Sequence, residues 1–323
     1  MTSNQKHLNL NSIGELYKSG IKEVAVAIGV FDGVHIGHRH LLRTLIKMSD
    51  DHGVTPVALT FHPHPREVLR PSENLLLIVS HEKKIELLHE AGVKAVVTFP
   101  FTKEFSELSA ETFLEQCLMS GKVRLRGICV GKNWKFGAGG SGNTDTINAF
   151  SKRHALFFKP VGELKIDGRT VSSSEIRRAV SGGLLESAAR MLGRNYSISG
   201  TVEHGEKIAS KLLDCPTANI YVSHGIIPPK GVYMGYAKFA DSTYPAAISV
   251  GTAPTFVHKK SGRTSIEAHL FGFTGDIYGR NLEIEFVKYL REERTFSSPD
   301  SLKKQISEDL QIIRKTLHCV SAL

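Results

Sequence analysis

"EVAVAIGVFDGVHIGHRHLLRTLIKMSDDHG", residues 23–53, changes its hydrophobic period halfway along. Glu23 to Phe31 is a run of small and β-branched apolar residues of strand length. Further on, Leu41, Leu42, Leu45 and Ile46 are spaced for one side of a helix. A glycine-rich turn joins the two parts, and three imidazoles, His35, His38 and His40, fall at its end and on the first turns of the helix. The pattern predicts a strand ending at Phe31 and a helix beginning near Gly37.

The same switch of period recurs downstream. "VTPVALTF" (54–61), "VKAVVTFPF" (93–101) and "VRLRGICVG" (123–131) read as strands. "HEKKIELLHEAG" (81–92) and "SAETFLEQCLMSG" (109–121, Ser109 as N-cap) read as helices, and the mixed signs of "HEKKIELLHE" suggest a solvated face. Buried strands alternating with amphipathic helices predict a doubly wound parallel α/β sheet. Ligands bind such sheets at the carboxyl ends of strands. That directs attention to "IGVFDG", "LTFHPHP" and "ICVGKNWKFG".

After about residue 195 the texture changes. "YSISGTVEHG", "TANIYVS", "GVYMGYAKFA", "YPAAISVG", "TSIEAHLF" and "LEIEFVKYL" are short strands between turn residues, which predicts an antiparallel β-barrel or sandwich. "SPDSLKKQISEDLQIIRKTL" predicts a terminal helix, with Ser298 as N-cap and Pro299 at its first position. The boundary falls near "LGRNYSISG", dividing the chain into 1–193 and 194–323.

With 323 residues there is room for two domains, and 41% hydrophobic with 23% charged residues is the balance of a globular protein. No apolar run is long enough for a transmembrane helix, and the polar N-terminus has no signal-peptide core, so the expected location is cytoplasmic. A formal charge of +9 fits nucleic acid, an anionic membrane or phosphorylated small molecules. The basic residues form no arm or tail, which weighs against the first two. Cys117, Cys129, Cys215 and Cys319 form no CxxC pair, which excludes a zinc ribbon and a thioredoxin-type motif.

For His35 and His38 three readings compete. A metal site at this spacing usually needs a cysteine pair or a further nearby ligand, and Asp32 lies inside the turn. Plain packing suits a glycine-flanked turn poorly. A phosphate site explains more. The helix N-terminus offers free N–H groups and a favourable dipole, Gly33 and Gly37 permit close approach, and an imidazolium stabilises charge developing on phosphate.

The pattern G-x-F-D-G-x-H-x-G-H over Gly29–His38 resembles the signature of the HxGH nucleotidyltransferases. "LTFHPHPREVL", "VGKNWKFGAGGSGNTDTI" and "VSSSEIRRAVSGG" resemble, in order, stretches of the bacterial bifunctional riboflavin kinase/FAD synthetase family. "CPTANI", "PPKGVYMG", "VGTAPTF", "IEAHLF", "DIYGRNLEIEF" and "LREERTFSSPDSLKKQISED" resemble its kinase half. The resemblance implies that the first domain transfers AMP from ATP to FMN, giving FAD and pyrophosphate. It implies that the second phosphorylates riboflavin to FMN with ATP, and that both steps need Mg²⁺. No nucleic-acid or membrane partner is implied.

Carried over, His35 and His38 contact the ATP phosphates and stabilise the transition state, within a nucleotide loop containing Gly29, Phe31, Gly33 and Gly37. His64 is a phosphate or ribose contact, with a turn residue between two prolines as its alternative. Asn133 meets adenine, ribose or phosphate, and Trp134 replaces a more usual phenylalanine. Ser172, Ser173 and Arg177 grip pyrophosphate, while Arg178 falls on a solvated face. "GAGGSG" lacks the Lys-Ser/Thr of a Walker A loop and is expected to be a flexible loop over nucleotide or flavin.

In the kinase half, Thr217 and Asn219 share one face of an extended segment and offer neutral oxygens, which suit Mg²⁺ when ATP supplies the charge. A turn-stabilising pair is the alternative. Glu267 lies between apolar neighbours, a costly place unless it faces a polar site, and the resemblance makes it the general base. Lys211 and Arg291, with Phe296, fall among the ATP- and flavin-binding positions; an exposed helix end is the other reading of Arg291. The chain departs from the family pattern at Ala209 and Asp214, where glycine is common, and at Gly272, where aspartate is common. Two alternatives therefore stand beside the bifunctional reading: an FAD synthetase with a degenerate kinase domain, and a non-catalytic flavin-binding regulator.

Overall fold

The computed structural model describes residues 8–119, 121–203, 217–222, 225–252, 264–294 and 296–320. Residue contacts divide the chain into two compact units, residues 1–75 with 81–173 and residues 76–80 with 174–323. Residues 174–193 thus group with the second unit, although they precede the boundary read from the sequence.

The first unit is built on a six-stranded sheet, with β1 (Leu8–Leu10), β2 (Glu23–Ile28), β3 (Thr55–His62), β4 (Ala95–Pro100), β5 (Arg124–Gly131) and β6 (Phe157–Val161) in the order β1-β4-β3-β2-β5-β6. Every pairing is parallel. Val24 to Ile28 are buried throughout, as both faces of a helix-covered parallel sheet require. From β2 the chain runs outward through β3 to β4, then returns to place β5 on the other side of β2. The carboxyl end of β2 is therefore a topological switch point, where the crevice of a doubly wound sheet opens.

Helix α1 (Ile36–His52) packs Leu41, Leu42 and Leu45 on the sheet and ends at Gly53, whose φ of +65° closes it with a left-handed residue. Helix α2 (His81–Glu90) corrects the sequence reading. It buries Leu87 and Leu88, and Lys84 and His89 with them, so its mixed charges do not form one solvated face. The expected N-cap at Ser109 is present, accepting from Thr112 N–H. A tiny hairpin pairs β7 (Lys165–Ile166) with β8 (Arg169–Thr170).

The second unit is a closed antiparallel barrel of β9 (Tyr196–Glu203), β10 (Ala218–Tyr221), β11 (Gly231–Phe239), β12 (Ser242–Thr252), β13 (Thr264–Leu270) and β14 (Asn281–Arg291), in the order β10-β13-β12-β11-β14-β9. Closure removes the sheet edges. Ile248, Val250, Ile266, Ala268, Ile284 and Phe286 are buried inside it. At Gly235 a Cβ would meet the Glu285 carbonyl at 1.9 Å, so the close approach of β11 and β14 requires glycine there. Helix α3 (Pro299–Val320) has its expected N-cap, with Ser301 N–H donating to Ser298 Oγ. Its Ile313 and Leu317 pack with Met234 of β11.

Candidate active site

β2 stops at Ile28, three residues earlier than the sequence suggests, and the turn that follows is tightly held. Gly29 N–H donates to Leu59 O, and the buried Thr60 hydroxyl donates to Val30 O. Phe31 (φ +54°) and Val34 (φ +38°) take left-handed backbone that L-residues avoid, and Gly33 adopts φ +82°. His35 is the N-cap of α1, and its Nδ1 accepts the His38 N–H at 3.2 Å. With Nδ1 an acceptor, the neutral ring carries its proton on Nε2. The His35 and His38 rings stack at 3.6 Å, and the edge of Phe31 meets His38 at 5.2 Å. A Cβ on Gly37 would touch the His35 ring at 3.1 Å, so this glycine makes room for an imidazole.

His35 is only 6% exposed, which corrects the expectation that these histidines are poorly placed for burial. His38 is half-buried, but its Nδ1 is enclosed and has no hydrogen-bond partner among the described residues. Burial, then the charge of His35, then that of Lys84 hold its pKa well below the usual imidazole range. In the free protein His38 is therefore neutral at pH 7, whereas the sequence reading invokes an imidazolium.

The remaining candidate residues of the first domain lie on neighbouring segments. Ser173 Oγ donates to Asp32 O, tying the serine motif to the histidine turn. His64 caps the short helix Pro65–Leu69, its Nδ1 accepting from Arg66 N–H while Glu67 accepts from His64 N–H. The turn role expected as the alternative is thus filled. Asn133 is exposed and donates to Glu163. Trp134 stacks on Phe136 at 4.6 Å, so the aromatic exchange continues a ladder of rings. "GAGGSG" closes on itself through paired bonds between Phe136 and Gly142. In the second unit, Arg177 Nε donates to Leu76 O, and Arg178 is exposed and pairs with Glu175.

The second unit brings together residues far apart in sequence. Asn219 lies opposite Glu267, Glu267 opposite Ser249, Ser249 opposite Val232, and Val232 opposite Arg291. Directly opposed residues share a face, so these five form one row across the outside of the barrel. Thr217, two residues before Asn219, joins that face. Thr217, Ser249, Glu267 and Arg291 line a cavity of about 340 Å³, which Leu302 and Ile306 of α3 complete. The neutral oxygens of Thr217 and Asn219 beside the Glu267 carboxylate fit Mg²⁺ carried on ATP, although His269 also lines the cavity. Phe296 also lines the cavity, whereas Lys211, Ala209 and Asp214 lie outside the described residues. Gly272 has φ +73°, a turn conformation suited to glycine.

Arg291 is not an exposed helix end. Its Nε and Nη2 donate to both oxygens of Asp309 on α3, and Gln305 donates to the same carboxylate. The side chains are 13% and 6% exposed. Sequence reasoning missed Asp309, whose signal was only an acidic residue on a long amphipathic helix. Breaking a buried pair strands the other charge, so Asp309→Ala should cost about 3–5 kcal/mol. Denaturant unfolding of the second unit will show it, with Arg291→Met/Asp309→Leu losing less.

Among the described residues, no group of three or more His, Cys, Asp or Glu side chains is arranged to hold a metal, and no helix is long and apolar enough to cross a membrane. The FAD synthetase family matches residues 18–175 and the riboflavin kinase family residues 192–317. The bifunctional riboflavin kinase/FMN adenylyltransferase of Bacillus subtilis (strain 168) is 32% identical, covering 95% of this chain and 96% of its own. That of Escherichia coli (strain K12) is 29% identical, covering 93% and 95%. A crystal structure described as a macrolide-efflux protein from Streptococcus pneumoniae has a TM-score of 0.82 at 24% identity, covering 95% of this chain and 98% of that one, a likeness of fold alone. With both enzyme domains present in order and relatives alike along nearly the whole length, the chain belongs to the bifunctional riboflavin kinase/FMN adenylyltransferase family.

Proposed function

We propose that residues 1–193 bind ATP and transfer its AMP to FMN, and that residues 194–323 bind ATP and phosphorylate riboflavin. In the first reaction an FMN phosphate oxygen attacks the α-phosphorus of ATP and pyrophosphate leaves. His35, through Nε2–H, and His38 donate to the phosphate oxygens on which charge grows, acting by preorganised electrostatics with no covalent intermediate. The loop of Gly29, Phe31, Gly33 and Gly37 shapes the nucleotide site, and His64, Asn133, Ser172, Ser173 and Arg177 supply further contacts to nucleotide and pyrophosphate.

In the second reaction the riboflavin 5′-hydroxyl oxygen attacks the γ-phosphorus of ATP and ADP leaves. Glu267 takes the hydroxyl proton. Thr217 and Asn219 hold Mg²⁺, which neutralises phosphate charge when bound. Lys211 and Arg291 belong to the ATP and flavin site. The observation that carries the reading is the opposition of Asn219 and Glu267 across two strands, which puts a neutral oxygen ligand beside a carboxylate base. We place the protein in the cytoplasm, with flavins and nucleotides rather than nucleic acid as partners.

Riboflavin, ATP and Mg²⁺ supplied to the purified protein should yield FMN, ADP, FAD and pyrophosphate. FAD from added FMN, with no FMN from riboflavin, would leave an FAD synthetase with a degenerate kinase. No product from either substrate would leave a flavin-binding regulator.

A further inference from the structure

An ammonium group inside a protein is costly unless something there needs it. Lys84 of α2 is 7% exposed, and its Nζ donates to Phe61 O at 3.0 Å. Lys83, the preceding residue, pairs with Glu86 in an exposed contact. Leu87 and Leu88 already provide α2 with an apolar face, so helix packing does not call for a buried lysine.

The position of the acceptor is informative. Phe61 is the penultimate residue of β3, immediately before "HPHP". One helical turn before Lys84, the His81 ring stacks on His62 at 4.2 Å. The start of α2 thus grips the end of β3 twice, once by its carbonyl and once by a ring. The titratable groups around Lys84 are the carboxylates of Asp32 from the histidine turn and Glu67 from the short helix, and the rings of His38 from α1 and His81 from α2.

We propose that Lys84 is a positioning residue for adenylyl transfer, a fixed buried cation that clamps the carboxyl end of β3 and stands behind the His35–His38 pair. This rests on the assignment of those histidines to the transfer. Burial pulls the Lys84 pKa down to about 8 against the opposing effects of Asp32 and Glu67, leaving it largely charged at pH 7. Its charge adds, after burial and His35, to the lowering of the His38 pKa, so the Nζ acts directly on the ring beside it. When a triphosphate arrives, the same charge favours it.

The test uses the full chain carrying Lys84→Met or Lys84→Arg. FAD formation from FMN and MgATP is measured with the NMR titration of the His38 ring, assigned by its loss in His38→Ala. Riboflavin phosphorylation on the same sample reports the other site. Lys84→Met should lower the adenylyl-transfer kcat about ten- to a hundredfold, with a smaller change in the KM for FMN. It should raise the His38 titration toward the ordinary imidazole value and leave the kinase rate as it was. Lys84→Arg should keep the parental His38 titration. A Lys84→Met rate within twofold of the parent overturns the proposal. So does a lower rate with an unmoved His38 titration, because a purely structural lysine gives that result. If Lys84→Met unfolds the first unit, Lys84→Arg decides: a raised His38 titration in that variant also overturns it. Full FAD formation in His35→Ala would remove the site assignment itself, whereas an inactive His35→Ala beside an active Lys84→Met removes only the role of Lys84.

Discussion

His35→Ala should lower FAD formation from FMN by about 10²–10³-fold, the cost of deleting one preorganised donor from a transition state. The riboflavin kinase rate of the same sample should stay at the parental value, since the kinase residues lie in the other unit. Two effects must be separated, because His35 is also the cap of α1. Loss of a cap costs about 0.5–2 kcal/mol of stability. His35→Asn restores a cap acceptor without an imidazole. It should recover the melting temperature and remain impaired in adenylyl transfer, and stopped assays of FAD and pyrophosphate will show whether it does. Recovery of the rate along with stability would mean that His35 serves the helix and not the reaction.

Glu267→Gln should produce the opposite pattern. Removing a general base costs about 10²–10⁴-fold, so FMN formation from riboflavin falls by that order. FAD formation from supplied FMN is unaffected. Glutamine matches glutamate in size and keeps a carbonyl oxygen toward the cavity, so the barrel is retained. Because Asn219 and Ser249 flank Glu267 across the sheet, the substitution removes the carboxylate without opening a gap between strands. A rate within threefold of the parent would assign the proton transfer elsewhere.

The legibility of the two sites differs for a physical reason. The first is local in sequence. His35, His38 and the glycines lie within ten residues, so a single change of period placed them at a strand end. Even there, the depth of His35 depended on rings from the same turn folding over one another. The second site is a row drawn from different strands. Alternation along β13 predicted that Glu267 differs in face from Ile266 and Ala268, but not what lies beside it. Arg291 shows the limit most clearly. In sequence it is a basic residue at the start of "REER", and its commitment to Asp309 depends on a helix that begins eight residues later.

By itself the sequence determined the alternation of strands and helices, the change to barrel texture near residue 195, the turn that carries the paired histidines and the family. These follow from periodicity and contiguous motifs, which are properties of neighbouring residues. Only the tertiary structure decided that Lys84 faces inward, that Asn219, Glu267, Ser249, Val232 and Arg291 share one row, and that Asp309 holds Arg291. Helix rotation, strand register and barrel closure set those outcomes. Each depends on packing between segments distant in the chain, which local periodicity does not encode.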